Sequence, residues 1–159
     1  MEEKKQHLTP LQAKEKIKHY CAWSERSHSD VRNKLFNYGL RAHELEPIIS
    51  YLIEENYLNE ERYAVQFAGG HFRLKKWGKV KIVQALRMKG VSDYCIKKGL
   101  REIEEEAYEA LLNKLAVQKW QETKGQKPVL RWNKTRQFLL QRGFEPQLIL
   151  PVLRKLQED

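Results

Sequence analysis

The sequence predicts an all-α protein, an elongated, curved array of three tandem three-helix repeats. Apolar residues recur at helical spacing almost throughout, and no alternating β-branched run is closed by Asn-Gly or Asp-Gly, the usual mark of a hairpin. One pattern also occurs three times: Leu35 with Gly39-Leu40, Leu86 with Gly90-Val91, and Leu139 with Gly143-Phe144, the glycines 51 and 53 residues apart. A glycine just past a helix end takes the left-handed conformation that closes the last turn, and the next apolar residue packs back on that turn.

The repeat extends to both sides of each glycine. Offsets +6, +9, +10 and +13 read Leu45, Ile48, Ile49, Leu52, then Ile96, Gly99, Leu100, Ile103, then Ile149, Val152, Leu153, Leu156. With the one exception of Gly99 these are apolar side chains on a single helix face. Offsets -8 and -4 read Val31 and Leu35, Ile82 and Leu86, Thr135 and Leu139. A period of about 50 residues is longer than that of most two-helix solenoid units and leaves room for a further helix in each.

The elements follow in order. In the first repeat, residues 11–58, Ala13, Ile17, Tyr20 and Cys21 mark a helix ending near Ser24–Arg26, and Ser29 stands as cap before Val31. In the second, residues 59–103, Asn59 caps a helix that from Arg62 to Lys75 presents Tyr63, Phe67, Phe72 and Leu74, and Ser92 caps the one through Ile96. In the third, residues 104–157, Ala107, Leu111, Leu112, Leu115 and Trp120 define a helix. Glu102, Glu104, Glu105, Glu106 and Glu109 suit the positive end of its dipole. A loop at 123–130, clearest in Thr123–Pro128, is peculiar to this repeat. Pro47 and Pro151 share offset +8, inside the third helices. Because proline is easily placed only in a first turn, those helices either start later or are kinked. Three helices of roughly 10–16 residues just close a small core, and stacked units bury more.

Composition narrows the function. The 159 residues are 41% apolar and carry a net charge of +9. No apolar run approaches the roughly 18–20 residues that span a bilayer, so no membrane association is expected. The start, Met1–His7, lacks the apolar core of a signal peptide. Cys21 and Cys95 form no CxxC and are too few for a disulfide scaffold, so a cytoplasmic location is expected and both thiols read as core residues. The charge is uneven: residues 1–69 carry net -1, residues 70–144 net +11 and residues 145–159 net -1. Arg73, Lys75, Lys76, Lys79, Lys81, Arg87 and Lys89 fall in a stretch, 70–92, that holds no acid. A second basic stretch includes Arg131, Lys134 and Arg136. Such a field attracts polyanions, because neutralised phosphates release counterions; the bland alternative is a set of solvated helix faces. Trp77, Trp120 and Trp132 lie in these stretches, either to stack on bases or to pack in cores. Arg87 is ambiguous: it belongs to the basic run, but its position is apolar in the other repeats, where a stem laid on the core is the alternative.

Catalysis finds no support. There is no phosphate loop, dinucleotide fingerprint, HExxH or GxSxG. His7, His19, His28, His43 and His71 are scattered without ligand spacing, so no metal, cofactor or catalytic residue is expected and the chain is not read as an enzyme.

Three segments in order resemble the RecX family, modulators of the RecA recombinase. They are Arg26-Ser27-His28-Ser29 before Val31 and Leu35, Tyr57-Leu58-Asn59-Glu60-Glu61-Arg62-Tyr63-Ala64 with Phe67, and Gly78, Ile82, Leu86, Lys89-Gly90-Val91. The family often has proline after the motif glycine, where this chain has Lys79. The resemblance covers about Leu11 to Leu156 and implies the same threefold array. It also implies binding along the groove of the RecA filament on single-stranded DNA, with inhibition of ATPase, strand exchange and filament extension. On that reading Tyr57, Leu58, Tyr63, Ala64, Phe67, Gly78, Ile82, Leu86 and Gly90 build the fold, as do Leu35, Gly39, Leu139 and Gly143. Arg73, Lys75, Lys76, Lys79, Lys81 and Lys89 are the first candidates for contact, and Arg131, Lys134 and Arg136 the second. DNA binding is then expected to be salt-sensitive and not sequence-specific. Two alternatives stay open: a helical protein acting directly on nucleic acid, and a helical adaptor with no nucleic acid involved.

Overall fold

A computed structural model describes residues 7–159; of the segment read for a signal peptide, only His7 lies among them. The described chain runs α1 (Pro10–Trp23), α2 (His28–Asn37), α3 (Ala42–Glu54), α4 (Glu60–Gly70), a π-helical turn (His71–Lys75), α5 (Lys79–Met88), α6 (Asp93–Arg101), α7 (Glu105–Glu122), α8 (Pro128–Gln141) and α9 (Pro146–Glu158). No strand occurs among the described residues. The fold is all-α.

Local sequence sets the helix starts. Thr9 and Gln12 form a capping box at α1, with Pro10 as first helical residue. Asn59 accepts from the Arg62 N–H at 2.9 Å, and Ser92 accepts from the Cys95 N–H at 3.3 Å. The cap of α2 is Ser27, however, not Ser29: it is wholly buried and exchanges hydrogen bonds with Asp30. Helix α8 begins at Pro128, so the loop before it occupies 123–127.

Both α3 and α9 run through their internal prolines, each the sixth helical residue. The helices start before Pro47 and Pro151, and each proline removes one hydrogen bond, to the carbonyl of His43 or Gln147. Both of those residues are exposed, so the freed acceptor is on the solvent side of its helix.

By its internal contacts the chain falls into two compact units, Met1–Gln66 with Leu86–Lys98 and Phe67–Ala85 with Gly99–Asp159. In the first, α1, α2 and α3 pack pairwise around Ala13, Ile17, Leu35, Leu45 and Leu52. In the second, α7, α8 and α9 pack pairwise, with Leu112, Leu115, Leu139, Phe144, Ile149 and Leu153 buried. In α7 the expected Leu112 and Leu115 are buried and Leu111 and Trp120 half-buried, but Ala107 is exposed, and Tyr108 and Ala116 complete the buried stripe. All six residues at offsets -8 and -4 have zero exposure. Thr135, the polar one, keeps a buried hydroxyl with no hydrogen-bond partner.

The three glycine turns share one geometry. Gly39, Gly90 and Gly143 have φ of 90°, 74° and 95°. The N–H of the next residue reaches back to Leu35, Leu86 or Leu139 at 3.3, 3.1 and 3.1 Å, while the glycine N–H bonds three residues back. This is the double hydrogen bond of a Schellman ending.

Two of the turns are docked on the start of an earlier helix. In the second unit, Gly78 N–H donates to Arg142 O at 2.7 Å and Val80 N–H to Gly143 O at 2.9 Å. Between them, Lys79 N–H donates to the Tyr108 hydroxyl at 2.9 Å, and that hydroxyl donates to Glu145. Three orphan donors at the start of α5 are thus satisfied without a side-chain cap. A proline at position 79 would offer no N–H, so the departure at Lys79 has a structural role. A Cβ on Gly78 would fall on the Gly143 carbonyl group, and one on Gly143 on the Lys81 side chain. In the first unit the turn docks one residue out of that register: Ser29, at the position of Val80 relative to its own glycine, donates its hydroxyl at 3.0 Å to Lys89 O, the counterpart of Arg142 O. The Lys89 ammonium pairs with Asp30 at 2.7 Å.

Three outcomes follow from these contacts. Gly90→Ala should cost about 1 kcal/mol, since φ is positive but nothing lies within 4 Å of the new methyl. Gly143→Ala should cost about 3 kcal/mol or more, because strain and overlap with Lys81 combine; urea midpoints at unchanged slope would show the difference. Tyr108→Phe, which strands the Lys79 N–H and Glu145, should lower stability by about 1–3 kcal/mol in the same assay. Burial pushes the Asp30 carboxyl up, but hydrogen bonds from Lys89 and Ser27, with the Lys89 charge, hold it below its ordinary 3.8. Its contribution is therefore full above that value and lost as pH falls through the lower folded value. Asp30→Asn should be less stable than the parent by about 1 kcal/mol at pH 7, with the gap closing on acidification.

Candidate functional site

The basic stretch 70–92 begins where α4 stops being an α-helix. After Gly70 the chain widens into the π-helical turn, and Lys76 ends it in the left-handed conformation at φ 58°. The turn is held from inside. The His71 ring stacks on Phe67 at 3.8 Å and lies 4.6 Å from Trp77, and His71 Nδ1 is 2.8 Å from the Phe67 carbonyl oxygen. Arg142 donates to Lys75 O at 2.9 Å. The wider turn shifts register, so the expected apolar face breaks: Phe72 rests near Tyr108, but Leu74 is 83% exposed.

This geometry sorts the candidate cations. Arg73, Lys75 and Lys76 are exposed, and among the described residues none has an ion pair. The Arg73 guanidinium lies over Gly69, in space a Cβ there would fill. Lys79 and Lys81 are half-buried, their ammonium groups 4.7 Å from the Tyr108 and Trp77 ring centres. Lys89 belongs to the first unit and is committed to Asp30. Arg87, left open between core and surface, is exposed and lies 3.5 Å from Asp93. Phe36, at the same offset from the glycine of the first repeat, is also 44% exposed.

On α8, Arg131 covers the Trp120 ring at 3.9 Å and donates to the Trp120 carbonyl at 2.7 Å, which makes it a packing residue. Lys134 donates to Gln126 at 2.7 Å, and Arg136 is exposed with no ion pair among the described residues. An open groove of about 560 Å³ is lined by Lys119, Asn133, Lys134, Gln137, Phe138 and Gln141. Trp77 and Trp120 are each half-buried with a cation over the ring, so packing accounts for them.

The motif residues are mostly packed into the fold. Arg62 pairs with Glu25 and donates to Asn56 O at 3.0 Å, clamping the left-handed Asn56. Leu58, Tyr63, Ala64, Ile82 and Leu86 are buried, Tyr57 and Phe67 half-buried. Burial pushes the Tyr63 phenol up to about 12 and the Cys21 thiol up to about 11. Both cysteines are free and buried. Among the described residues no three His, Cys, Asp or Glu side chains group as metal ligands, and no helix is long and apolar enough to cross a membrane.

Known proteins share this arrangement. The family model for the second three-helix domain of RecX matches residues 59–100, and that for the third matches residues 105–153. The regulatory protein RecX of Pelodictyon phaeoclathratiforme is 33% identical over 82% of this chain and 81% of its own length. That of Prosthecochloris aestuarii is 31% identical over 86% of this chain and 88% of its own. The Lactococcus lactis relative is longer, so that the chain spans 51% of it at 27% identity. In fold, the chain is similar to the crystal structure of RecX from Lactobacillus salivarius, with a TM-score of 0.84, 20% identity, and 94% and 97% of the two chains covered. A second crystal structure of a regulatory protein RecX gives a TM-score of 0.81 at 23% identity over 94% of this chain and 73% of its own. On the strength of the two family models and of relatives more than 30% identical over most of both chains, the chain belongs to the RecX family of regulatory proteins.

Proposed function

We propose that this chain regulates homologous recombination and DNA repair, including the SOS response, in the cytoplasm. It does so by binding the RecA filament on single-stranded DNA, slowing ATP hydrolysis and strand exchange and blocking filament extension. The observation that carries this reading is the turn at 73–76, where Arg73, Lys75 and Lys76 stand exposed and without ion pairs among the described residues, on a backbone braced from within. Cations so placed are available to a polyanionic assembly. Arg136 is a second such point; Lys79 and Lys81 contribute from half-buried positions and Lys134 from an exposed one, where it is tied to Gln126. Lys89 and Arg131 act through stability instead. The third helices α3 and α9 bury apolar stripes and hold few cations, which disfavours a base-reading helix.

The test is to titrate the protein into RecA filaments formed on single-stranded DNA and follow ATP hydrolysis. Inhibition by the wild type is expected, and the Lys75→Glu/Lys76→Glu variant should need about tenfold more protein for the same effect, with its helical circular dichroism unchanged. No inhibition by the wild type across a broad concentration range would overturn the reading. Equal inhibition by the variant would move the contact away from this turn. Binding to bare single strands should be weak, indifferent to sequence and steeply salt-dependent.

A further inference from the structure

On the filament-binding reading above, we infer that the turn at 73–76 is a protein-docking plug, not a DNA contact. Its anchor is Leu74, which enters a side-chain-sized apolar pocket rimmed by carboxylates on the partner protein.

Single exposed leucines are common on protein surfaces and mean little alone. Leu74 differs in how it is displayed. It is 83% exposed at the outer side of a π-helical turn, flanked by Arg73, Lys75 and Lys76. The backbone that presents it takes a positive φ at a lysine, Lys76, where a non-glycine residue is strained. Strain of this kind persists only where the surroundings over-determine it. Here they do: the Phe67–His71–Trp77 stack lies on one side, and the Arg142 hydrogen bond to Lys75 O is a further tether. A backbone held in advance loses little freedom when its leucine docks, which favours tight association.

The chemistry of the tip also separates protein from nucleic acid. Surfaces that hold single strands combine cations with aromatic faces on which bases stack. In this segment the aromatics are turned to one another, and the exposed group is a branched aliphatic with no π-face. An apolar anchor ringed by charge matches the organisation of a protein hot spot, with a desolvated centre and a polar rim. The rim here is wholly cationic, and residues 70–92 contain no acid, so the complementary rim is acidic.

Leu74→Ser removes the anchor and keeps every charge; Leu74→Met restores an apolar side chain of similar size. Affinity is measured by fluorescence anisotropy for two probes, a RecA filament on a labelled single strand and the same strand bare. Leu74→Ser should weaken filament binding about tenfold or more while binding of the bare strand stays within about twofold of wild type. Leu74→Met should recover most of the filament affinity. The exposure of Leu74 makes misfolding of either variant unexpected, and urea midpoints equal to that of wild type verify it. Unchanged filament binding by Leu74→Ser overturns the plug and leaves the filament reading intact. Equal loss on both probes overturns it in favour of an apolar wedge between bases. A wild type that binds no filament overturns both readings.

Discussion

Each glycine turn after the first docks on the N-terminus of an earlier second helix, and much of the molecule depends on that contact. A helix start leaves N–H groups without intrahelical partners, and a helix end leaves carbonyls in the same state. At α5 and the turn after α8 the two deficits cancel directly. Gly78 and Val80 donate to the carbonyls of Arg142 and Gly143, and Tyr108 completes the set at Lys79. The opposed ends of two helix dipoles meet there as well. Close approach is possible only because neither glycine has a Cβ. At α2 and the turn after α5 a similar dock, shifted by one residue, is made with side chains in place of backbone donors, through Ser29 and the Asp30–Lys89 pair.

That contact also decides which cations are free. The start of α5 would otherwise be a ready anion site, with bare N–H groups and lysines nearby. Three of its N–H donors are already used, and Lys79 and Lys81 place their ammonium groups over aromatic rings. Lys89 is drawn into the neighbouring dock. What remains is the turn before Gly78, where the π-helix throws Arg73, Leu74, Lys75 and Lys76 outward. The net +11 of residues 70–144 is therefore a mixture of structural and available charge.

Much of the fold was legible because local rules and tertiary packing agree. Leu35, Leu86 and Leu139 with their glycines announced three helix endings, and all three have the double hydrogen bond that glycine permits. One buried serine and one buried tyrosine were harder to see. Ser27, rather than Ser29, caps α2, since a capping box needs an acid three residues on, and Asp30 supplies it only for Ser27. Tyr108 hid among glutamates and alanines; its hydroxyl is polar enough to look exposed, and its role depends on residues 29 and 37 positions away. The site was legible as a region, not as residues. A charge run gives no account of which lysine has a partner.

The sequence by itself determined the all-helical class, the threefold spacing and the sign of the surface, because periodicity, glycine and charge are properties of neighbours along the chain. Only the tertiary structure decided that Leu74 stands outside while Phe72 stays in, that Arg131 packs while Arg136 is free, and that the start of α5 is closed to an anion. Each of those depends on groups far apart in sequence meeting within a few ångströms, and on one widened turn that shifts the register of everything in it.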